Sequence, residues 1–314
     1  MKEKLFILIG PTAVGKTAIS LDLAKKLNGE IVSADSMQIY KYMDIGTAKI
    51  TVNEMQGIPH HLVDIIYPDE SFTVSDYKTR ATQYITEINR KNKLPIVVGG
   101  TGLYINSLVY KLNFATVPPN EMIRERLENL GNEYGNEYLH NILLKADKAS
   151  GERISIQDKK RVIRALEINE ITGKTMTEYN KDFRESNDDY DLVMVCLNLD
   201  RAKLYERINQ RVDLMLEQGL VEEVKGILSK GYDKNLVALQ GIGYKEIIMY
   251  LDNNYTLEYA VDKIKQGSRN YAKRQLTWFR RDNRIKWIDV DNFEDIEGLS
   301  KNIEDYIISS LYSK

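Results

Sequence analysis

Residues Gly10-Pro11-Thr12-Ala13-Val14-Gly15-Lys16-Thr17 lie between an apolar run, Leu5–Ile9, and a helical pattern, Ala18–Leu27. This is the spacing G-x-x-x-x-G-K-[ST] in the strand–loop–helix setting that gives it meaning. Glycines let the chain wrap around a phosphate, and successive N–H groups converge at a helix start whose dipole favours an anion. Lys16 adds a mobile positive charge, and the Thr17 hydroxyl can hold Mg²⁺ directly or through water. A plain glycine turn does not account for the Lys-Thr pair. The loop reads phosphates and not the group attached to them, so nucleotides and other pyrophosphate esters both stay open.

The surrounding pattern points to an α/β fold. Lys4–Ile9, Glu30–Ala34 and Leu94–Val98 read as strands, with Leu62–Ile66 as a further candidate. Thr17–Leu27 and Val74–Lys91 read as helices, the second capped by Ser71 or Thr73. Strands that are apolar throughout and separated by helices predict a doubly wound parallel sheet, with the site beyond the strands' carboxyl ends. From Pro118-Pro119 the pattern turns helical, over Glu121–Leu130, Glu137–Ala146 and Asp158–Thr172, until the apolar run Tyr190–Leu199 rejoins the sheet. The expected organisation is therefore a core of residues 1–117 and 190–314 with a helical subdomain inserted at 118–189. After Arg201 the chain reads as helices Ala202–Gln218, Val221–Lys230, Tyr244–Leu251 and Leu257–Phe279, then a strand, Ile285–Val290, and a terminal helix.

Composition bounds the setting. The chain has 314 residues, a net charge of −2 and one cysteine, Cys196, inside an apolar run. It has no disulfide, no span of membrane length and no leader pattern, which predicts a cytoplasmic protein. Charge is unevenly spread. Nine basic residues between Lys263 and Lys286 face a single acid, Asp282, so that window carries +8 and the remainder −10. Tyr271, Trp278 and Phe279 are interleaved with them. A solvated helix face is the ordinary meaning of a charge run, but cations mixed with stacking rings favour contact with a polyanion, RNA above all.

Several side chains suit chemistry beside a bound phosphate. Asp35 follows the second strand and would stand at the sheet's rim, where a carboxylate accepts a proton from a nucleophile or caps the next turn. The strand Leu94–Val98 ends in Gly99-Gly100-Thr101-Gly102, without the aspartate that holds Mg²⁺ in hydrolytic nucleotide enzymes. Asp200 is a substitute or a helix cap. Arg207 and Arg211 lie four apart on one helix face, placed to clamp a pyrophosphate or to pair with Glu206 or Glu217. Lys159, Lys160, Arg161 and Arg164 look like an ordinary exposed helix face. His60-His61 and His140 lack metal-ligand spacing.

These segments, in this order, resemble the bacterial tRNA dimethylallyltransferase (tRNA isopentenyltransferase) family. The match covers Gly10–Thr17, Ser33-Ala34-Asp35-Ser36-Met37-Gln38-Ile39-Tyr40, Met43–Lys49, Pro59–Leu62 and Val98–Tyr104. It continues through Gly243-Tyr244-Lys245-Glu246 and Lys273–Arg280, almost the whole chain. The phosphate loop alone is common; Asp-Ser-x-Gln-x-Tyr and Lys-Arg-Gln-x-Thr-Trp are far more particular. The resemblance implies a P-loop NTPase-like core and transfer of a dimethylallyl group from dimethylallyl diphosphate. The acceptor it implies is N6 of the adenosine 3′ to the anticodon, in tRNAs reading codons that begin with U. It further implies that the loop Gly10–Thr17 holds the diphosphate, that Mg²⁺ is the cofactor, and that Asp35, Thr17 and Arg211 are catalytic. Ser36, Met37 and Gln38 match the stretch touching the target base and its neighbours, and Thr101 matches a residue at the channel where donor and base meet. Gly243, Tyr244, Lys245, Lys273, Arg274, Gln275, Trp278 and Arg280 fall in matching segments as tRNA contacts. Lys159, Lys160 and Arg161 lie in the insertion that grips the anticodon stem-loop. Lys245 stands where some relatives have arginine, which keeps the charge and loses the bidentate fork. A single chain acting as a monomer, with no membrane, completes the expectation. The competing readings are a P-loop nucleotide or nucleoside kinase and a non-catalytic, nucleotide-sensing RNA-binding protein.

Overall fold

A computed structural model describes residues 2–112, 119–179 and 185–312. Six strands form one parallel sheet: β1 (Glu3–Ile9), β2 (Gly29–Ala34), β3 (His60–His61), β4 (Leu94–Gly99), β5 (Tyr190–Asn198) and β6 (Lys286–Asp289), ordered β3-β2-β4-β1-β5-β6. β1 is flanked by β4 and β5, and every residue from Leu5 to Ile9 is fully buried. Each such side chain contributes about 1.5–3 kcal/mol by leaving water. That burial is why the strands read as unbroken apolar runs. The switch between the β1–β4 and β1–β5 neighbours puts the carboxyl end of β1, and hence the phosphate loop, at the crevice typical of doubly wound sheets.

Helices cover both faces. α1 (Lys16–Lys26) follows the loop, and α2 (Val74–Arg90) starts from a capping box in which Thr73 and Asp76 bond reciprocally. Thr73, not Ser71, is the cap. α3 (Gly102–Val109) follows β4. After β5 come α9 (Arg201–Glu217), α10 (Leu220–Ser229), α11 (Tyr244–Leu251), the 23-residue α12 (Leu257–Phe279) and α13 (Ile296–Leu311). The chain divides into two compact units, Met1–Leu108 with Asp188–Lys314, and Val109–Asn187. The second unit is helical: α4 (Glu121–Tyr134), α5 (Asn136–Ala146), α6 (Lys148–Arg153), α7 (Lys159–Thr172) and α8 (Met176–Tyr179). Its core joins Leu127, Leu139, Leu143, Val162 and Leu166. Pro118, at the expected border, lies outside the described residues.

One expected strand is corrected. Pairing stops at His61, because Leu62 and Asp64 take φ of 62° and 56°, left-handed values that end an extended run. Only Ile66 regains a bridge, to Tyr40. The histidines serve the scaffold. His61 Nε2 meets the buried Glu30 carboxylate at 2.9 Å, the His60 ring bonds the Ile58 carbonyl, and the His140 ring bonds the Ile154 carbonyl. Among the described residues no helix is long and apolar enough to cross a membrane.

Candidate active site

The phosphate loop turns into α1 through Gly15, whose φ of 103° is open to glycine and costly for other residues. Val14 points away from the loop and is a core residue, 1% exposed. The Gly10 and Pro11 carbonyls accept hydrogen bonds from Lys16 Nζ at 2.9 and 2.8 Å. These three residues therefore build the loop, while Thr12, Ala13, Gly15, Lys16 and Thr17 line the cavity in front of it. Burial, reinforced by the Arg211 charge, lowers the Lys16 ammonium pKa to about 8. Asp35 pulls the other way. A lysine held this way is poised for an incoming anion.

The cavity has a volume of about 400 Å³ and a neighbour of about 380 Å³. Thr12, Asp35, Thr47, Arg211 and Tyr271 line both, so the two meet along a common wall. Lys16, Arg207 and Arg211 stand in the first; Arg211, Lys245 and Arg274 stand in the second. Among the described residues Asp35 is the one acid in either lining. Five cations around one carboxylate make an anion receptor with a single built-in base. Burial also depresses the Arg211 pKa, and the Asp35 charge partly restores it. The second cavity has an apolar wall from Met37, Ile208, Val212, Met215, Ile242 and Ile264.

Asp35 emerges at the end of β2. Its Oδ1 accepts the Met37 and Gln38 amides at 2.9 and 3.4 Å, which fixes the turn, while Oδ2 has no hydrogen-bond partner among the described residues. Capping and a free oxygen at the cavity coexist in one side chain. Thr101 does not line either cavity. Its hydroxyl accepts the Ser36 amide at 3.0 Å and so holds the turn from behind. Asp200 is a cap, accepting the Ala202 and Lys203 amides at the start of α9.

Other expected contacts move. Tyr244 is fully buried with its hydroxyl donated to Glu223, so it is a core residue and not a tRNA contact. Gln275, 5% exposed, spends its amide on the Thr12 N–H and the Gly100 carbonyl. It supports the phosphate loop from the wall of the first cavity. Trp278 lies against Gly102 with Arg281 over its ring, and Arg280 sits over Trp287. Lys273 is exposed on α12. Gly243 lines the second cavity with Lys245. In the helical unit, Lys159 is tied to the Glu128 carbonyl and Asn132, Arg161 pairs with Asp158, and Lys160 is exposed.

Sequence reasoning missed Thr47, Gln210, Leu214 and Tyr271 as cavity walls. A signal existed for three. Gln210 and Leu214 lie three and seven residues after Arg207, on the same helix face, and Tyr271 lies one turn before Gln275. Burial, with Asp35 nearby, pushes the Tyr271 hydroxyl up to about 12, so it stays a hydrogen-bond donor at neutral pH.

The Thr17 hydroxyl lines the first cavity and makes no hydrogen bond among the described residues. No group of three His, Cys, Asp or Glu able to hold a metal occurs among those residues. A cation here would take one hydroxyl from the protein and the rest of its ligands from phosphate and water. That donor set suits Mg²⁺, which keeps several waters and binds with substrate phosphates.

Comparison with known proteins gives a consistent set of relatives. The family model described as IPP transferase matches residues 38–282. The chain is 52% identical over 310 residues to a tRNA dimethylallyltransferase of Clostridioides difficile (strain 630), covering 99% of each. It is 53% identical over 303 residues to one of Alkaliphilus oremlandii (strain OhILAs), covering 96% of each. The crystal structure of a tRNA isopentenylpyrophosphate transferase from Bacillus halodurans is similar with a TM-score of 0.75 at 47% identity, over 99% of this chain and 98% of that one. A eukaryotic dimethylallyltransferase acting on tRNA is similar with a TM-score of 0.82 at 29% identity, over 98% of this chain and 78% of that one.

Proposed function

The chain belongs to the IPP transferase family, and on that premise we propose that it is a tRNA dimethylallyltransferase. It moves a dimethylallyl group from dimethylallyl diphosphate to N6 of the adenosine 3′-adjacent to the anticodon in tRNAs reading codons that begin with U. The observation that carries this reading is that Lys16 and Asp35 line one cavity, which meets a second, half-apolar cavity along the Asp35–Arg211–Tyr271 wall. A phosphate anchor and a base thus share a space, with room beyond for a second reactant.

Each residue then has a task. Lys16 and the loop N–H groups take the diphosphate, and Arg207 and Arg211 stabilise the charge that builds on it as the allylic C–O bond breaks. Mg²⁺, when bound beside the Thr17 hydroxyl, supplies further neutralisation of that leaving group. The exocyclic amine is a weak nucleophile because its lone pair is delocalised into the ring. Asp35 Oδ2 accepts its proton as the N–C bond forms, help typically worth about 10²–10⁴ in rate. An adenine stacked in a loop cannot reach this point and must be extruded, at a cost of about a few kcal/mol offset by RNA contacts. The second cavity takes the base side of the reaction, with Arg274 and Lys245 toward the RNA backbone. Lys160 and Arg161 of the helical unit contact the anticodon arm. The enzyme works as a monomer in the cytoplasm.

The test is a transfer assay with unmodified tRNA. Labelled dimethylallyl diphosphate should place label in the RNA, and γ-labelled ATP should not. Label from ATP alone would establish the kinase reading instead. Against that reading stands β4, which ends in glycines at the cavity where a nucleotide kinase or ATPase needs a metal-holding carboxylate.

A further inference from the structure

Glu223 lines neither cavity, yet it holds one of their walls. Its Oε2 accepts the Asp44 and Ile45 amides at 2.9 and 2.7 Å, and its Oε1 accepts the Gly46 amide at 3.1 Å and the Tyr244 hydroxyl at 2.7 Å. Three successive backbone N–H groups facing one carboxylate form a nest, a geometry that selects an anion. Tyr244 is fully buried, and its ring presses on Gly46 so closely that a Cβ there would lie 2.6 Å away. The loop is thus clamped from α10 and α11.

The clamp leads to the reacting centre. Next after Gly46 is Thr47, the residue that lines both cavities together with Asp35 and Arg211. Thr47 Oγ1 donates to the Met43 carbonyl at 2.7 Å, which keeps the side chain inside the loop. Gln38 Nε2 donates to the Thr47 and Ala48 carbonyls, both at 3.3 Å, and Gln38 belongs to the turn that Asp35 caps. On the far side Lys49 is anchored by the Tyr40 carbonyl, Asp44 and Asp64. The wall at the junction therefore has a position only as definite as its two anchors.

We propose that Glu223 is a positioning residue for prenyl transfer: through the nest at Asp44–Gly46 it sets Thr47 and Gln38 where donor and acceptor meet. The inference rests on the proposed function, since it concerns the geometry of that reaction. It predicts a loss of rate that exceeds any loss of donor affinity, because Thr47 and Gln38 are walls of the first cavity whereas the hydrogen bonds of Glu223 do not reach the phosphate loop that anchors the diphosphate.

The test uses the full chain, dimethylallyl diphosphate and an anticodon stem-loop, and reads turnover per donor-binding site, the sites being counted by equilibrium dialysis. Glu223→Leu should cut that turnover at least about tenfold, well within the ~100-fold that a 1 Å misplacement can cost. Its donor Kd should stay within about twofold, the signature of an interaction felt only in the transition state. Glu223→Gln keeps an acceptor for Asp44 and Ile45 but turns an N–H toward the Gly46 amide and removes the nest's anion, so its turnover should fall between those of the parent and Glu223→Leu. Parental turnover in Glu223→Leu overturns the proposal. So does a loss of donor sites equal to the loss of total activity, which would mark a folding effect alone. If Glu223→Leu gives no soluble chain, Glu223→Asp is read by the same ratio and the same two criteria. A parental chain that transfers nothing from the prenyl donor overturns the proposed function and this inference together, whereas parental turnover in the variant overturns the inference alone.

Discussion

Gln275 accepts a hydrogen bond from the Thr12 amide at 3.0 Å, joining α12 to the phosphate loop across 263 residues of sequence. The other end of the same amide donates to the Gly100 carbonyl at 3.0 Å. One side chain thus fixes the loop against the end of β4 and sets the width of the donor cavity between them.

Replacing Gln275 by Leu leaves the buried Gly100 carbonyl unpaired, at about 1–3 kcal/mol, and frees the part-buried Thr12 N–H. Donor affinity should fall about tenfold, while affinity for an anticodon stem-loop stays near that of the parent. Calorimetry with each ligand separately checks both halves. Weakened RNA binding with intact donor binding would return Gln275 to the RNA side.

Lys16 makes donor binding pH-dependent. Its pKa is about 8 in the folded chain against 10.5 ordinarily, so between those values the unfolded chain holds more protons. The stability of the free protein therefore rises with pH across that window. Donor binding has the opposite sign, because the diphosphate favours the charged lysine. Its affinity is full below about pH 8 and declines above it, with proton uptake on binding. Titrations in two buffers of different ionisation heat at about pH 8.5, roughly half a unit above that midpoint, should detect the uptake. Lys16→Met should abolish it.

Asp35→Asn tests the base without disturbing the turn, since the amide oxygen still accepts from Met37 and Gln38. Turnover should fall by at least ~10², with donor and RNA affinities within about threefold of the parent. Parental turnover in Asp35→Asn would remove the carboxylate from the mechanism.

Lys273 is exposed and Arg274 lines the second cavity with its guanidinium over Tyr271. Changing both to Ala should weaken stem-loop binding and reduce the slope of log K against log salt by up to about 1.4, roughly 0.7 for each loop phosphate no longer neutralised. An unaltered slope would make this segment a solvated face.

Most of the core is legible in the sequence because its signals are local. The glycines, the Lys-Thr pair and the apolar runs each encode their own backbone, and helices Tyr244–Leu251 and Leu257–Phe279 follow their periodicity residue for residue. The Leu62–Ile66 strand fails because two left-handed residues, neither of them glycine, interrupt it. A family motif marks positions without saying which way they face, so Tyr244 and Gln275 pass for RNA contacts until burial places them inside. Thr47 reaches the cavity only by tertiary convergence, which no stretch of sequence contains.

The central claim is that the loop at Lys16 holds an isoprenoid diphosphate while Asp35 prepares an extruded adenine beside it. A crystal structure of the full chain with an unreactive donor analogue and an anticodon stem-loop tests this directly. The expected result is a diphosphate against Lys16 and Arg211, with the adenine N6 within hydrogen-bond reach of Asp35 Oδ2 and facing the allylic carbon. A diphosphate seated away from the loop, or an adenine with no path to the donor, would contradict it.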